Sequence, residues 1–356
     1  MQEAIRQICL ATSGYGVESK VFALSPNPIP KVVLNGPSET VRSKSWMAPA
    51  SCDIGGFDSI AEFLNLAEWA DVIHFHFPWP FGDILNFFRR ANKPAVITYH
   101  SDIVRQRVLN MVYRPLMLRT IRSMAAVVAT SPAYAKTSPV LLQDVPSDKL
   151  HTIPLGIVDR RDTSIQSEDG SGPVAGESVP FVLAIGVLRY YKGLHTLIQA
   201  ALEIKGQIVI AGSGPEGEAL KELAQRLGAH NVTFLGQVTE ERRDDLLRQC
   251  RAVVFPSHMR SEAFGMVLVE ASMFSKPMVC CEVGSGTSFV NEDGVTGLVV
   301  PPESPQEFAS ACNRLLTDQR LAKKMGDAAR ARYERLFSGE ALGGAYCNLY
   351  RLVCIR

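Results

Sequence analysis

The stretch RAVVFPSHMRSEAFGMVLVEASM, residues 251–273, decides the fold. The run from Arg251 to Pro256 is short, apolar and β-branched, and predicts a strand. Met266 to Met273 carries a helical pattern. The loop between them holds Glu262, and Glu270 lies about one turn into the helix. Gly265, at the junction, lets the backbone approach a ligand closely. The unbonded N–H groups of the helix start then face the same space as both carboxylates. Such a loop offers donors to a phosphate and acceptors to sugar hydroxyls, and a sugar nucleotide needs both. Two glutamates at this spacing also occur on solvated helices, so spacing alone does not separate the readings.

Working outward, the same strand–helix alternation continues on both sides. Upstream lie strands over Phe181–Ile185, Gln207–Ala211 and Val232–Leu235. Helical patterns over Leu194–Ile204, Glu216–Leu227 and Glu240–Cys250 separate them. Downstream come strands at Pro277–Cys281 and Gly297–Val300, then helices at Pro305–Leu316 and Gln319–Arg335. The first half alternates too: a helix at Glu3–Thr12 and a strand at Ser19–Leu24, then a helix at Ile60–Ala70 and a strand at Asp71–Phe77. A helix over Asp83–Ala91 and a strand over Ala95–Tyr99 follow, then helix over Ile103–Ser123 and strands over Ala125–Thr130 and Lys149–Ile153. The pattern is α/β with parallel, doubly wound sheets. It divides into 1–158, a polar linker at 159–178, a second unit at 179–338, and a helix at 339–356 expected to pack back toward the first unit. Ligands bind such sheets at the carboxyl ends of the strands. A domain of this kind normally opens with a strand and a Gly-rich turn, whereas Met1 already stands at a helix start. The expectation is a first unit lacking its opening strand and loop.

Composition narrows the function classes. The 356 residues suit two ordinary domains, and a net charge of +1 gives no nucleic-acid footprint. The eight cysteines form no CxxC or Cys/His zinc pattern. No signal peptide opens the chain, and no apolar run reaches the ~18 residues of a membrane span. The expectation is a cytoplasmic protein with reduced thiols and, at most, peripheral membrane contact.

Several further motifs carry chemistry. Arg189-Tyr190-Tyr191-Lys192-Gly193 follows a strand, where basic groups neutralise a leaving diphosphate. Gly212-Ser213-Gly214-Pro215-Glu216-Gly217 matches G-x-G-x-x-G, but its strand is not the first of its half, and no acid follows at the ribose-binding position. It reads as a turn lining a nucleotide pocket, with Gln237 and Val238 of the next loop near the base. Ser257, Arg260 and Ser261 flank Glu262, within reach of a diphosphate or sugar. Gly284 to Thr287 reads equally as a plain turn or a donor contact. His100 ends the strand AVITY. His74 and His76 share one face of DVIHFHF and read as structural. Between Arg89 and Arg122 stand eight basic residues, including Arg105 and Arg107, preceded by an aromatic run with Trp79 and Phe81. That combination reads either as an aromatic core with solvated arginines or as a face for anionic lipid.

The strings FPSHMRSEAFGMVLVEASMFSKPMV and GVTGLVVPP resemble the donor site of retaining GT-B glycosyltransferases of family 4. HFPWPFGDILNFF, VITYHSDIVRQ, YRPLM and RYYKGLH extend the resemblance over nearly the whole chain. They look like bacterial mannosyl- and rhamnosyltransferases of O-polysaccharide and D-rhamnan assembly. The resemblance implies two Rossmann-like domains facing a cleft. It implies that Glu262 lies near the donor sugar, that Glu270 holds the ribose, and that Phe264, Gly265 and Met266 line the donor loop. Lys192 matches the family lysine. The family arginine position holds Val187, and Arg189 is expected to supply that charge. His100 matches the histidine that contacts the donor sugar. The implied reaction is a retaining transfer without a metal, since no DxD motif ends a strand. The implied partners are a nucleotide sugar, GDP-linked, and a lipid-linked saccharide at the anionic cytoplasmic face of the inner membrane. A non-catalytic nucleotide-sugar-binding partner and a GT-B enzyme on a soluble acceptor stay open as alternatives.

Overall fold

The computed structural model describes residues 1–48, 52–89, 93–102, 107–161 and 179–355, without the side chains of 107–112. Residues 162–178, most of the segment read as a linker, lie outside the described residues. The chain forms two compact units, Met1–Val158 with Gly339–Arg356, and Asp159–Ser338.

In chain order the first unit contains α1 (Gln2–Ser13), β1 (Lys20–Ser25), β2 (Val32–Asn35), β3 (Ser38–Met47) and β4 (Ile54–Gly55). It continues with α2 (Phe57–Trp69), β5 (Ile73–Phe77), α3 (Pro80–Phe88), β6 (Ala95–Tyr99), α4 (Arg107–Ser123) and β7 (Ala126–Ala129). It closes with α5 (Pro132–Thr137), α6 (Pro139–Asp144) and β8 (Leu150–Thr152). The second unit contains β9 (Phe181–Ile185), α7 (Leu194–Ala200), β10 (Gln207–Ala211), α8 (Gly217–Leu227), β11 (Val232–Gly236) and α9 (Glu240–Gln249). β12 (Ala252–Phe255), α10 (Met266–Met273), β13 (Met278–Cys281), α11 (Thr287–Val290), β14 (Gly297–Val300), α12 (Pro305–Thr317) and α13 (Gln319–Leu336) follow. The last helix, α14 (Gly339–Ile355), returns to the first unit.

The second unit is a six-stranded parallel sheet in the order β11-β10-β9-β12-β13-β14. β12 and β13 are buried along their whole length and β10 everywhere but at Gln207, as a parallel sheet covered on both faces requires. Leu197 and Ile198 of α7, both fully buried, anchor the helix to the sheet. Truncating either to alanine costs about 2–5 kcal/mol. Side chains cap two of its helices: Thr239 accepts from the Arg242 N–H and Asp318 from the Leu321 N–H. The strand order reverses between β9 and β12, so the loops after those two strands meet at the switch point of the sheet.

The first unit holds a four-stranded parallel sheet, β5-β6-β7-β8. A second, mixed sheet corrects the expectation of uniform parallel pairing: β1 pairs parallel with β3, while β2 and β4 run antiparallel to it. The polar β3 and largely exposed β2 carry little apolar alternation, which is why the sequence pattern passed over them. Helix α14 lays Leu342, Tyr346, Leu349 and Val353 into the core formed by Ile8 and Ala11 of α1, Val96 of β6, and Ala126 and Val128 of β7. Gly343 permits this: a Cβ there would stand 2.2 Å from the Ala11 carbonyl oxygen.

The aromatic run before α4 is also corrected. Phe75, Phe77 and Phe81 are buried, and Phe81 is only 1% exposed, so it belongs to the core and not to an outer face. Trp79 is half-buried against Phe81 and Phe22. The exposed aromatics here are Phe87 and Phe88. Arg105 and the side chain of Arg107 lie outside the described residues. Arg114 and Arg122 are both paired with Asp144. Among the described residues, no helix is long and apolar enough to cross a membrane.

Candidate functional site

The switch point of the second unit gathers most of the residues singled out in the sequence. β9 ends at Ile185 and leads through Gly186, Val187 and Leu188 to a 3-10 turn over Tyr190–Lys192. β12 ends at Phe255 and leads through Pro256 to Glu262. The two loops touch: a small pocket at the strand ends is lined by Gly186, Leu188, Lys192, Phe255 and Pro256. Gly193 lies against the second loop at φ 66°, and a Cβ there would stand 2.0 Å from the Pro256 carbonyl oxygen. Only glycine allows both the left-handed backbone and that approach.

The ammonium of Lys192 is ion-paired with Glu262 Oε2 and lies 4.5 Å from the centre of the Phe255 ring. Their side chains are 16% and 13% exposed, so the pair is largely withdrawn from water. The Glu262 loop is braced by the loop after β13. Ser285 Oγ donates to the Glu262 carbonyl at 2.6 Å, and the Gly286 N–H to the Ala263 carbonyl at 2.8 Å. This gives the Gly284–Thr287 segment a supporting place. Ser257, on the same loop as Glu262, is 1% exposed, and among the described residues its hydroxyl has no hydrogen-bond partner. A buried hydroxyl left without a partner costs stability unless a ligand or water completes it. Arg189 and Val187 are exposed at the same loop.

Gly265 caps α10 in the left-handed region at φ 86°. Phe264 is buried and packs edge-on against Phe337, so its ring props the loop from within. Met266, the first residue of α10, is half-buried. Glu270 is buried on α10, where Arg160 donates to Oε1 at 3.1 Å and Arg243 reaches the same oxygen at 3.5 Å. Burial raises the Glu270 pKa, and the two guanidiniums act against that rise. Arg160 is itself gripped by Asp244, with both carboxylate oxygens 3.0 Å from Nε. Sequence reasoning missed Arg160, Arg243 and Asp244. They are far from Glu270 in the chain, and nothing in their local pattern marks them.

The Gly-rich turn after β10 is a splice between loops. Leu188 N–H donates to the Ser213 carbonyl, Glu216 N–H to the Leu188 carbonyl, and Gly212 N–H to the Gly236 carbonyl. Gly212 and Gly214 therefore join the ends of β9, β10 and β11, and Gln237 and Val238 extend from the third of these. Gln237 is exposed and Val238 half-buried.

In the first unit, His100 follows β6 and its Nε2 lies 2.9 Å from His76 Nδ1. The two rings stack at 5.2 Å, and His76 stacks on His74 at 4.3 Å. His74 is fixed by Thr98 at 2.7 Å and by the Tyr350 hydroxyl of α14 at 2.8 Å. His74 and His76 thus form a column ending on His100. Burial pushes His74 and His100 down to about 3, and His76 lies well below the usual imidazole value for the same reason. All three rings are neutral at physiological pH. His100 can orient a hydroxyl by hydrogen bonding, and it does not supply a full positive charge.

Two family models match the chain: Glycosyltransferase Family 4 over residues 3–161 and Glycosyl transferases group 1 over residues 170–332. The chain is 41% identical to the D-rhamnosyltransferase WbpZ of Pseudomonas aeruginosa over 95% of its length and 88% of that protein. It is 35% identical to the O-antigen chain mannosyltransferase C of Escherichia coli over 98% of its length and 93% of that protein. Among solved structures, it matches sucrose-phosphate synthase of Thermosynechococcus elongatus with a TM-score of 0.77 at 23% identity, covering 98% of this chain and 92% of that one. It matches Anabaena HepE, solved with UDP and glucose, with a TM-score of 0.76 at 19% identity, covering 98% and 95%. The fold is therefore the α/β GT-B type. The chain is a glycosyltransferase and belongs to glycosyltransferase family 4.

Proposed function

We propose that this enzyme transfers a rhamnosyl or mannosyl unit from a GDP-sugar to a lipid-linked saccharide during O-antigen assembly, with retention at the anomeric carbon. The observation that carries it is the largely buried Lys192–Glu262 pair at the switch point. The names of the relatives support the sugar and the pathway.

Lys192, Arg189 and Arg260 face the donor diphosphate, helped by the N–H groups at the start of α10. Glu262 accepts from the sugar hydroxyls. Arg160 and Arg243 hold Oε1 of Glu270, and Oε2 accepts from the ribose. The Gly212–Gly214 turn with Gln237 and Val238 takes the base. In the transfer, the bond from C1 to the phosphate oxygen breaks and the bond from C1 to the acceptor oxygen forms on the same face. The acceptor proton passes to the departing phosphate. Protein cations carry the developing charge, so the transfer step itself needs no metal. Contact with an anionic membrane runs through exposed Phe87, Phe88 and Arg119, whose guanidinium covers the Phe87 ring at 4.5 Å.

The test is a donor panel of GDP-, UDP- and ADP-sugars with a diphospholipid-linked acceptor. Turnover with GDP-mannose or GDP-rhamnose alone is the expected result. Faster turnover with a UDP-sugar overturns the donor assignment. Binding without turnover of any donor leaves the nucleotide-sugar-binding partner as the reading. Flotation with anionic vesicles at low salt, lost in Phe87→Ser with Phe88→Ser, checks the membrane contact.

A further inference from the structure

Behind the Lys192 turn lies a cluster that the transfer reaction does not use. His195 stands on α7, His258 in the loop after β12, and Glu303 in the loop between β14 and α12. One ligand atom from each comes within 4.8 Å of the other two. The imidazoles meet edge to face at 5.1 Å, and Tyr190 holds both, stacked on His195 at 5.5 Å and edge-on to His258 at 5.0 Å. His258 Nδ1 is buried and has no hydrogen-bond partner, and the same is true of the Thr196 hydroxyl beside His195. Helix α7 and the loops after β12 and β14, far apart in the chain, therefore bring their ligand-type side chains together beside an unsatisfied imidazole nitrogen.

We propose that His195, His258 and Glu303 form a zinc site that ties together the loops after β9, β12 and β14. Two imidazoles and one carboxylate suit Zn2+ and leave a fourth position open, whereas Mg2+ and Ca2+ need more oxygen donors. Tetrahedral ligands about 2.0–2.1 Å from zinc lie about 3.4 Å apart. Closing the cluster to that size requires movement of the Glu303 side chain, which is exposed, and of His195, which is half-buried. The site stands apart from the donor chemistry, and its effect there is indirect. His258 N–H donates to the Tyr191 carbonyl at 3.1 Å, so metal on His258 also fixes the turn that presents Lys192.

The experiment titrates the metal-stripped full chain with Co2+ and then displaces it with Zn2+. The expected result is one equivalent bound, visible bands of a tetrahedral nitrogen–oxygen site, no thiolate charge-transfer band, and a higher unfolding temperature with Zn2+. Glu303→Gln changes an exposed side chain and leaves folding intact, and it weakens binding at least ~10-fold. His195→Ala weakens it at least ~100-fold. Circular dichroism confirms that each variant is folded. No stoichiometric binding, unchanged affinity in both variants, or a thiolate band placing the metal on a cysteine such as exposed Cys354 overturns the proposal.

Discussion

Replacing Lys192 with methionine keeps the stem of the side chain and removes its charge. In the folded protein this strips the ion pair from Glu262 and leaves a carboxylate that is only 13% exposed. Breaking a fully buried pair costs about 3–5 kcal/mol, so this nearly buried one loses about 2 kcal/mol of stability. The reaction loses a different quantity. A cation aimed at a leaving diphosphate acts chiefly in the transition state, and removing one such group costs about 10²–10³ in kcat. Adding Glu262→Gln to Lys192→Met removes the stranded carboxylate. The double variant regains most of the stability and stays slow in transfer. Urea unfolding measures the first effect, and initial rates against donor concentration measure the second. A kcat for Lys192→Met within about threefold of the parent would refute the role of Lys192, whatever the stability did. Equal loss of stability in the single and double variants would refute the ion pair as the source of that loss.

Gly193→Ala places a Cβ 2.0 Å from the Pro256 carbonyl oxygen at a φ of 66°. It lowers stability by more than the ~1 kcal/mol of a left-handed alanine, and a melting curve shows the drop. Asp83 of α3 is buried, and burial raises its pKa to about 6 against the hydrogen bonds from Tyr113 and Thr120. Its folded pKa lies above the unfolded 3.8, so its stabilisation is complete below about pH 4 and lost as pH rises through 6. The full swing is on the order of 3 kcal/mol, and Asp83→Asn flattens the urea-unfolding profile between about pH 4 and 7. With His74 and His100 near 3, kcat shows no histidine-type inflection between pH 5 and 8. A bell-shaped profile centred near 6.5 would contradict neutral His100. Glu270→Gln weakens donor binding through the ribose and raises KM about 10-fold or more while kcat changes less, as steady-state kinetics can separate.

The α/β fold class and most of the order of strands and helices were legible because each rests on local pattern. β2 was not legible because VVLN is short and shows no period-two alternation, its residues are mostly exposed, and its partner β3 is polar. The same alternation in IHFHF put His74 and His76 on one face without revealing that His76 reaches His100 across to the next strand. The aromatic run misled for a related reason. Composition cannot tell a buried Phe81 from an exposed Phe87, because the difference lies in which face of α3 meets the sheet.

By itself the sequence determined what local chemistry dictates: glycines at the turns, buried strands of a parallel sheet, and carboxylates on either side of a helix start. Only the tertiary structure decided which side chains meet. Lys192 and Glu262 are 70 residues apart, and they pair because parallel strand order brings the loops after β9 and β12 to one switch point. Arg160 grips Glu270 and Asp244 from 110 and 84 residues away for the same kind of reason. Sequence spacing cannot encode such pairings, because they follow from the lateral order of strands, which is set by how the whole sheet buries its two faces.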